Sequence, residues 1–73
     1  MMDDRHYSMV IEWSDVDQAY IVSLPEWGAG AKTHGVTYDE AVRNGQEVLA
    51  MVVEHAEERG EPLPAPRVFA VSA

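Results

Sequence analysis

The stretch from Thr37 to Gly60 restricts this chain more than any other feature. Thr37-Tyr38-Asp39-Glu40 is a capping box, in which the Thr37 hydroxyl accepts from the Glu40 amide and the Glu40 carboxylate reaches back to the Thr37 amide. Asp39 and Glu40 also put negative charge at the positive end of the helix dipole. Beyond the box, Ala41, Gly45, Val48, Val52 and Ala56, flanked by Val42, Leu49 and Val53, recur at three- and four-residue spacing as one apolar stripe. Arg43, Gln46, Glu47, Glu54, Glu57 and Glu58 face away from it. Gly45 costs about 1 kcal/mol against alanine inside a helix, so its place on the stripe predicts a close approach to the covered surface. Gly60 ends the helix as a left-handed C-cap, with Arg59 in the last turn and Pro62 soon after. A helix with one apolar stripe needs a layer to cover, and the residues before it must supply that layer.

They read as strands. Over residues 6–13, Tyr7, Met9, Ile11 and Trp13 alternate with Ser8, Val10 and Glu12, the period of a strand. Ser14-Asp15-Val16-Asp17-Gln18 can bond its own backbone in a turn, and residues 19–24 resume a β-rich pattern, so the two runs predict an antiparallel hairpin. Pro25 cannot donate to a ladder, which makes residues 25–30 an irregular connection; residues 31–36 fit a short third strand. Pro62, Pro64 and Pro66 form an extended connector, and Arg67 to Val71 alternates loosely enough for a fourth, edge strand. The expected fold is α+β with order β-β-β-α-β: an antiparallel sheet with one helix packed on one face. Residues 1–73 make a single domain, with 1–5 and 72–73 as frayed ends.

One helix covers one face. The richer face of Tyr7, Met9, Ile11 and Trp13 is assigned to it, leaving Val10 and Ile21 with Ser8, Glu12 and Ser23 on the open side. Together with Trp27 in the loop and Met51 on the helix flank, that is more exposed apolar surface than a monomer of 73 residues is expected to carry. The candidate protein-interface residues are therefore Val10, Glu12, Ile21, Trp27, Glu47 and Met51, and a homo-oligomer, dimer or tetramer, is expected.

Charge narrows the partners. The chain has 5 Lys+Arg against 13 Asp+Glu, a formal charge of −8, and a negative field repels phosphate backbones and attracts a basic protein. No apolar run approaches the roughly 20 residues of a membrane helix, and the N-terminus lacks the apolar stretch of a signal peptide. A cytoplasmic location is the expectation. The absence of cysteine removes disulfides, thiol nucleophiles and thiolate metal sites.

A search for chemistry returns little. Glu12, Asp15 and Asp17 gather near the first turn, but Asp15-Val16-Asp17-Gln18-Ala19 lacks the third ligand and the glycine of a calcium loop, so a solvated hairpin turn is the better reading. His6, His34 and His55 show no metal spacing, and Ser8, Ser14 and Ser23 sit in no nucleophile-elbow context. His34, beside Thr33 and Thr37, is the histidine best placed for a functional test. Gly28, Gly30 and Gly35 are followed by no lysine at phosphate-loop spacing, and the cations Arg5, Lys32, Arg43, Arg59 and Arg67 are scattered. No catalytic, cofactor-binding or metal-binding residues are assigned, and the chain is expected not to be an enzyme.

Tyr7 to Trp13, Asp17 to Val22, Leu24-Pro25-Glu26, Gly30, Thr33 to Thr37 and Glu40-Ala41, in that order, resemble the HicB-like antitoxin family over about residues 7–64. The most specific part is G-x-T-x-x-E-A at Gly35 to Ala41, following the hairpin and the proline loop. The resemblance implies a partial ribonuclease-H-like β-β-β-α-β fold without ribonuclease activity. It also implies a role in a type II toxin-antitoxin system, masking a small basic HicA-type mRNA interferase by protein binding. A stand-alone homo-oligomeric module of the same fold is the alternative. Many HicB proteins continue into a C-terminal DNA-binding domain, which the chain ending at Ala73 does not contain, so operator binding is not expected of it.

Overall fold

A computed structural model describes residues 6–69. Three strands, β1 (Val10–Ser14), β2 (Ala19–Ser23) and β3 (Lys32–Gly35), form an antiparallel sheet in the order β1-β2-β3. One helix, α1 (Tyr38–Glu58), packs on it, and a single 3-10 turn, η1 (Pro25–Trp27), lies in the β2–β3 connection. The α+β arrangement, with the three-stranded sheet covered on one face, is as expected from the sequence.

The hairpin register pairs Glu12 with Ile21 and Trp13 with Tyr20, and the next ladder pairs Ile21 with His34 and Tyr20 with Gly35. Side chains alternate between faces along a strand, so Ile11, Trp13, Tyr20, Val22 and Leu24 share the helix side. Val10, Glu12, Ile21, Ser23, Lys32 and His34 share the open side. The core between the layers centres on Leu24, Leu49 and Val53, with Tyr7, Met9, Trp27, Ala31, Val48 and Val52 against it. Leu49 and Val53, placed by the sequence at the margin of the stripe, are its buried centre, while Val48 and Val52 are only partly covered. At the turn end, Trp13, Tyr20 and Tyr38 stack edge-to-face with centroids 5.0 and 5.5 Å apart.

Capping follows the sequence with one shift. The Glu40 amide donates to Thr37 Oγ1 at 3.1 Å, but the Glu40 carboxylate accepts from the Val36 amide at 2.6 Å rather than from Thr37. At the other end Gly60 has φ 68°, its amide donates to Glu57 O, and the Glu61 amide donates to Ala56 O at 2.9 Å. These are the two bonds of a Schellman cap, and they satisfy the last carbonyls of the helix.

Three expectations about the strands need correction. The first strand starts at Val10 and not at residue 6, because the Ser8 amide donates to both oxygens of Glu26, each at 3.2 Å, instead of to a neighbouring strand. The third shortens to Lys32–Gly35, since the Ala31 amide closes its own loop onto Gly28 O and the Val36 amide goes to Glu40. The fourth strand does not appear among the described residues: Arg67 donates its amide to Glu26 Oε2 at 2.9 Å, and Val68 and Phe69 are exposed. Val71, the end of that expected strand, lies outside the described residues.

Glu26 thus ties the N-terminal segment to the C-terminal connector, which Tyr7 also grips by donating its hydroxyl to Pro64 O at 2.5 Å. Burial is the largest single influence on the Glu26 carboxyl and pushes its pKa up. The amides of Arg67, Ser8 and Glu26 itself, with the Ser8 hydroxyl, outweigh it together and leave the pKa below the ordinary 4.5. A depressed folded-state pKa means stability that is present above the unfolded value and is lost as pH falls through the folded one. Glu26→Gln removes the charge and is expected to lower stability by about 1 kcal/mol at neutral pH, the scale of a charge-assisted hydrogen bond at a partly solvated site. Urea denaturation from neutral pH downward should show the gap to wild type closing below 4.5; a gap independent of pH would contradict this role.

Candidate functional site

The six candidate interface residues fall on two surfaces rather than one. Val10, Glu12 and Ile21 lie on the open sheet face. Glu47 and Met51 lie on the exposed side of α1, and Trp27 sits under the flank of that helix. Because the helix covers the face opposite Ile21, no single flat partner can touch all six.

The helix-flank site is a groove of about 360 Å³ lined by Trp27, Met51, Val52, His55, Ala56 and Glu61. Local sequence builds it. Pro25 starts the 3-10 turn, the Trp27 amide donates to Leu24 O at 3.0 Å, and Gly28 turns the chain away with φ 88°. The indole is thereby laid against Tyr7, edge-to-face with centroids 5.2 Å apart. Its Nε1 is buried without a hydrogen-bond partner, so this ring works as an apolar wall and not as a donor. The opposite wall comes from α1, where Met51 and His55 are one turn apart and Met51 is 58% exposed.

The rim of this groove is acidic. Glu47 lies one turn before Met51 and Glu58 one turn after Glu54, all three exposed, and Glu61 closes the end. The cation at this end, Arg59, is engaged: its Nε is 3.4 Å from Glu61 Oε2, and its Nη1 is 3.2 Å from His55 Nε2. An apolar trough edged by carboxylates can bury an aliphatic or aromatic anchor while meeting lysine or arginine around it. Sequence reasoning named Trp27, Glu47 and Met51 but missed His55 and Glu61 as lining residues. Helical spacing from Met51 was the signal for His55, while Glu61 is turned into the groove by the C-cap at Gly60.

The sheet site is a hollow of about 380 Å³ lined by Asp17, Ala19, Ile21 and His34. Across it the paired residues run Glu12, Ile21, His34 in one row and Val10, Ser23, Lys32 in the next. His34 is exposed, and its carbonyl accepts from Asn44 Nδ2 at 2.8 Å, which pins the outer edge of β3 to the helix.

Carboxylates near the first turn are spoken for locally. Asp15 accepts from Trp13 Nε1 at 2.7 Å, and Asp17 accepts from Ser14 Oγ at 3.0 Å. Among the described residues no three His, Asp or Glu side chains gather into a group that could hold a metal, and no helix is long and apolar enough to cross a membrane. Compared with known proteins, the chain matches no protein-family model, no curated protein and no solved structure.

Proposed function

We propose that this chain is a HicB-like antitoxin of a type II toxin-antitoxin system, which masks a small basic mRNA interferase by protein–protein binding. The observation that carries the reading is the apolar groove of Trp27, Met51, Val52 and Ala56 edged by Glu47, Glu54, Glu58 and Glu61 on a chain of formal charge −8. The toxin presents basic side chains where its RNA phosphates bind. The acidic rim competes for them, and inhibition is occlusion that asks no catalysis of this chain. The residue order from Tyr7 to Ala41 supports the same reading. A stand-alone homo-oligomeric module is the second reading, favoured by the uncovered sheet face.

The test is recovery of the tagged chain from its producing cells, with identification of co-purifying polypeptides by mass. The proposal expects a stoichiometric, small, strongly basic partner that cleaves RNA alone and stops when this chain is added. Glu47→Lys with Glu54→Lys should weaken that complex by about tenfold, mainly through slower association, since rim charges act on encounter. Recovery of the chain only with itself, or a basic partner whose RNA cleavage is unaffected, overturns it.

A further inference from the structure

The open sheet face carries a charge pattern with a symmetry of its own. Glu12, Ile21 and His34 are direct cross-strand partners, so one row reads acid, apolar, imidazole from β1 to β3, and Lys32 stands beside His34 on the same strand and face. Val10 is 40% exposed at the β1 end of the next row. Beneath Ile21 lies the hollow bounded by Asp17, Ala19 and His34.

We propose that this face binds the same face of a second copy of the chain, about a two-fold axis that runs parallel to the strands through Ile21. Two-fold axes in the plane of the interface can run along the strands or across them. An axis across the strands lays Glu12 on Glu12 and His34 on His34, which puts like groups together. The axis along the strands reverses β1 and β3 in the facing copy. Glu12 of each chain then meets His34 and Lys32 of the other, Val10 lies on the Lys32 stem, and Ile21 meets Ile21 over the hollow. An isologous interface needs this kind of self-complementarity, and the two sheets pack aligned at about −30° and about 10 Å apart.

The charge of −8 does not forbid this pairing. The sheet face holds Glu12 and Asp17 against Lys32 and His34, whereas Asp39, Glu40, Glu47, Glu54, Glu57 and Glu58 all belong to α1 on the opposite layer. Face-to-face pairing leaves the two helices outermost, separated by about three layer spacings of 10 Å, well beyond the Debye length of about 8 Å at physiological salt. It also leaves the Trp27–Met51 groove open on each copy, so the dimer and the basic-partner site are independent. The buried area is small: strands of 5, 5 and 4 residues turn only every second side chain outward, which is roughly a third of a standard interface side. A patch of that size belongs with weak, transient association, so the dimer is sought at high protein concentration.

Sedimentation equilibrium of the whole chain from about 10 µM to about 1 mM reads it directly, as a rise from 8.1 kDa towards twice that mass. Glu12→Lys and His34→Glu should each weaken association at least tenfold, and the double variant Glu12→Lys/His34→Glu should restore it to within about threefold, because the row is then reversed and still complementary. Both positions are exposed, so the fold tolerates the changes, which circular dichroism checks. Should a variant fail to fold, amide chemical shifts of the wild type on dilution replace it: changes at Val10, Glu12, Ile21, Ser23, Lys32 and His34 support the interface. Changes confined to α1, a monomer at about 1 mM, or a double variant no better than the singles each overturn it.

Discussion

Replacing Gly35 with alanine is expected to unfold much of the population. A Cβ at Gly35 would lie 2.4 Å from Ala41 N, 2.7 Å from Ala41 Cα and 2.8 Å from Glu40 C, all of them backbone atoms of the first helical turn. That turn cannot slide away cheaply. The Thr37 cap, the Val36 amide on Glu40 and the Asn44 amide on His34 O hold β3 and α1 together on both sides of the glycine. Overpacking alone costs about 1–3 kcal/mol, and separating these elements gives up further hydrogen bonds of about 1 kcal/mol each. A loss of at least about 3 kcal/mol is expected, from a total of roughly 4–11 kcal/mol for a chain of this length. Gly45→Ala is the internal comparison. There the new Cβ meets Met9 Sδ at 2.5 Å and Val22 Cγ1 at 2.9 Å, which are side-chain atoms, the first at the far end of a flexible chain. Alanine also returns about 1 kcal/mol of helix propensity, so the net loss should stay below about 2 kcal/mol. Urea midpoints that fall equally for the two variants would contradict the close backbone approach at Gly35.

Gly35 also marks where sequence reasoning was strong and where it stopped. The N-cap at Thr37, the C-cap at Gly60, the hairpin and the packing role of Gly45 follow from rules that act within a few residues, and the structure has each of them, with the Glu40 carboxylate moved from the Thr37 amide to that of Val36. Gly35 was given no packing role within the third strand, because its reason is a helix backbone lying across it, a contact that forms only when β3 meets α1. Residues 6–9 and Arg67 to Phe69 alternate like strands, but the Ser8 and Arg67 amides are claimed by Glu26, which lies 18 residues from Ser8 and 41 from Arg67. Nothing in the local pattern shows a side chain acting as the acceptor in place of a ladder. The split of the six interface residues between two surfaces had the same origin. Alternation told which residues share a sheet face, while the position of Trp27 relative to Met51 required the 3-10 turn at Pro25 to bring the loop under the helix.

The two layers divide the electrostatics of the chain. The helix layer concentrates carboxylates around an apolar groove, and the open sheet face carries fewer charges, with Glu12 on β1 and Lys32 on β3. A basic partner is therefore drawn to the helix side by long-range attraction, while contact on the sheet side is selected by short-range pairing. Raising ionic strength should weaken the first more than the second, because salt screens long-range attraction more than pairing at contact distance.

Leu24→Ala carries the other large expected effect and separates folding from docking at the groove. Leu24 is 1% exposed and forms, with Leu49 and Val53, the buried cluster on which Trp27 and Val52 rest. Its amide donates to Ala31 O at 3.1 Å and its carbonyl accepts from the Trp27 amide, so it also joins β2 to the turn that positions the indole. Truncation leaves a cavity between both layers and should cost about 3–4 kcal/mol. For a domain of this size that lowers Tm by roughly 12–32 °C in a calorimetric scan. Met51→Ala lies at the mouth of the same groove but removes an exposed side chain, and its stability should change by less than about 0.5 kcal/mol. Partner affinity should show the reverse order once the folded fraction is taken into account. Met51→Ala removes a docking contact, whereas Leu24→Ala weakens binding only by the fraction unfolded, and saturating partner should raise its Tm by as much as it raises that of wild type. If Met51→Ala bound the basic partner as wild type does, the groove would be packing surface only, and the acidic rim would have to act without it.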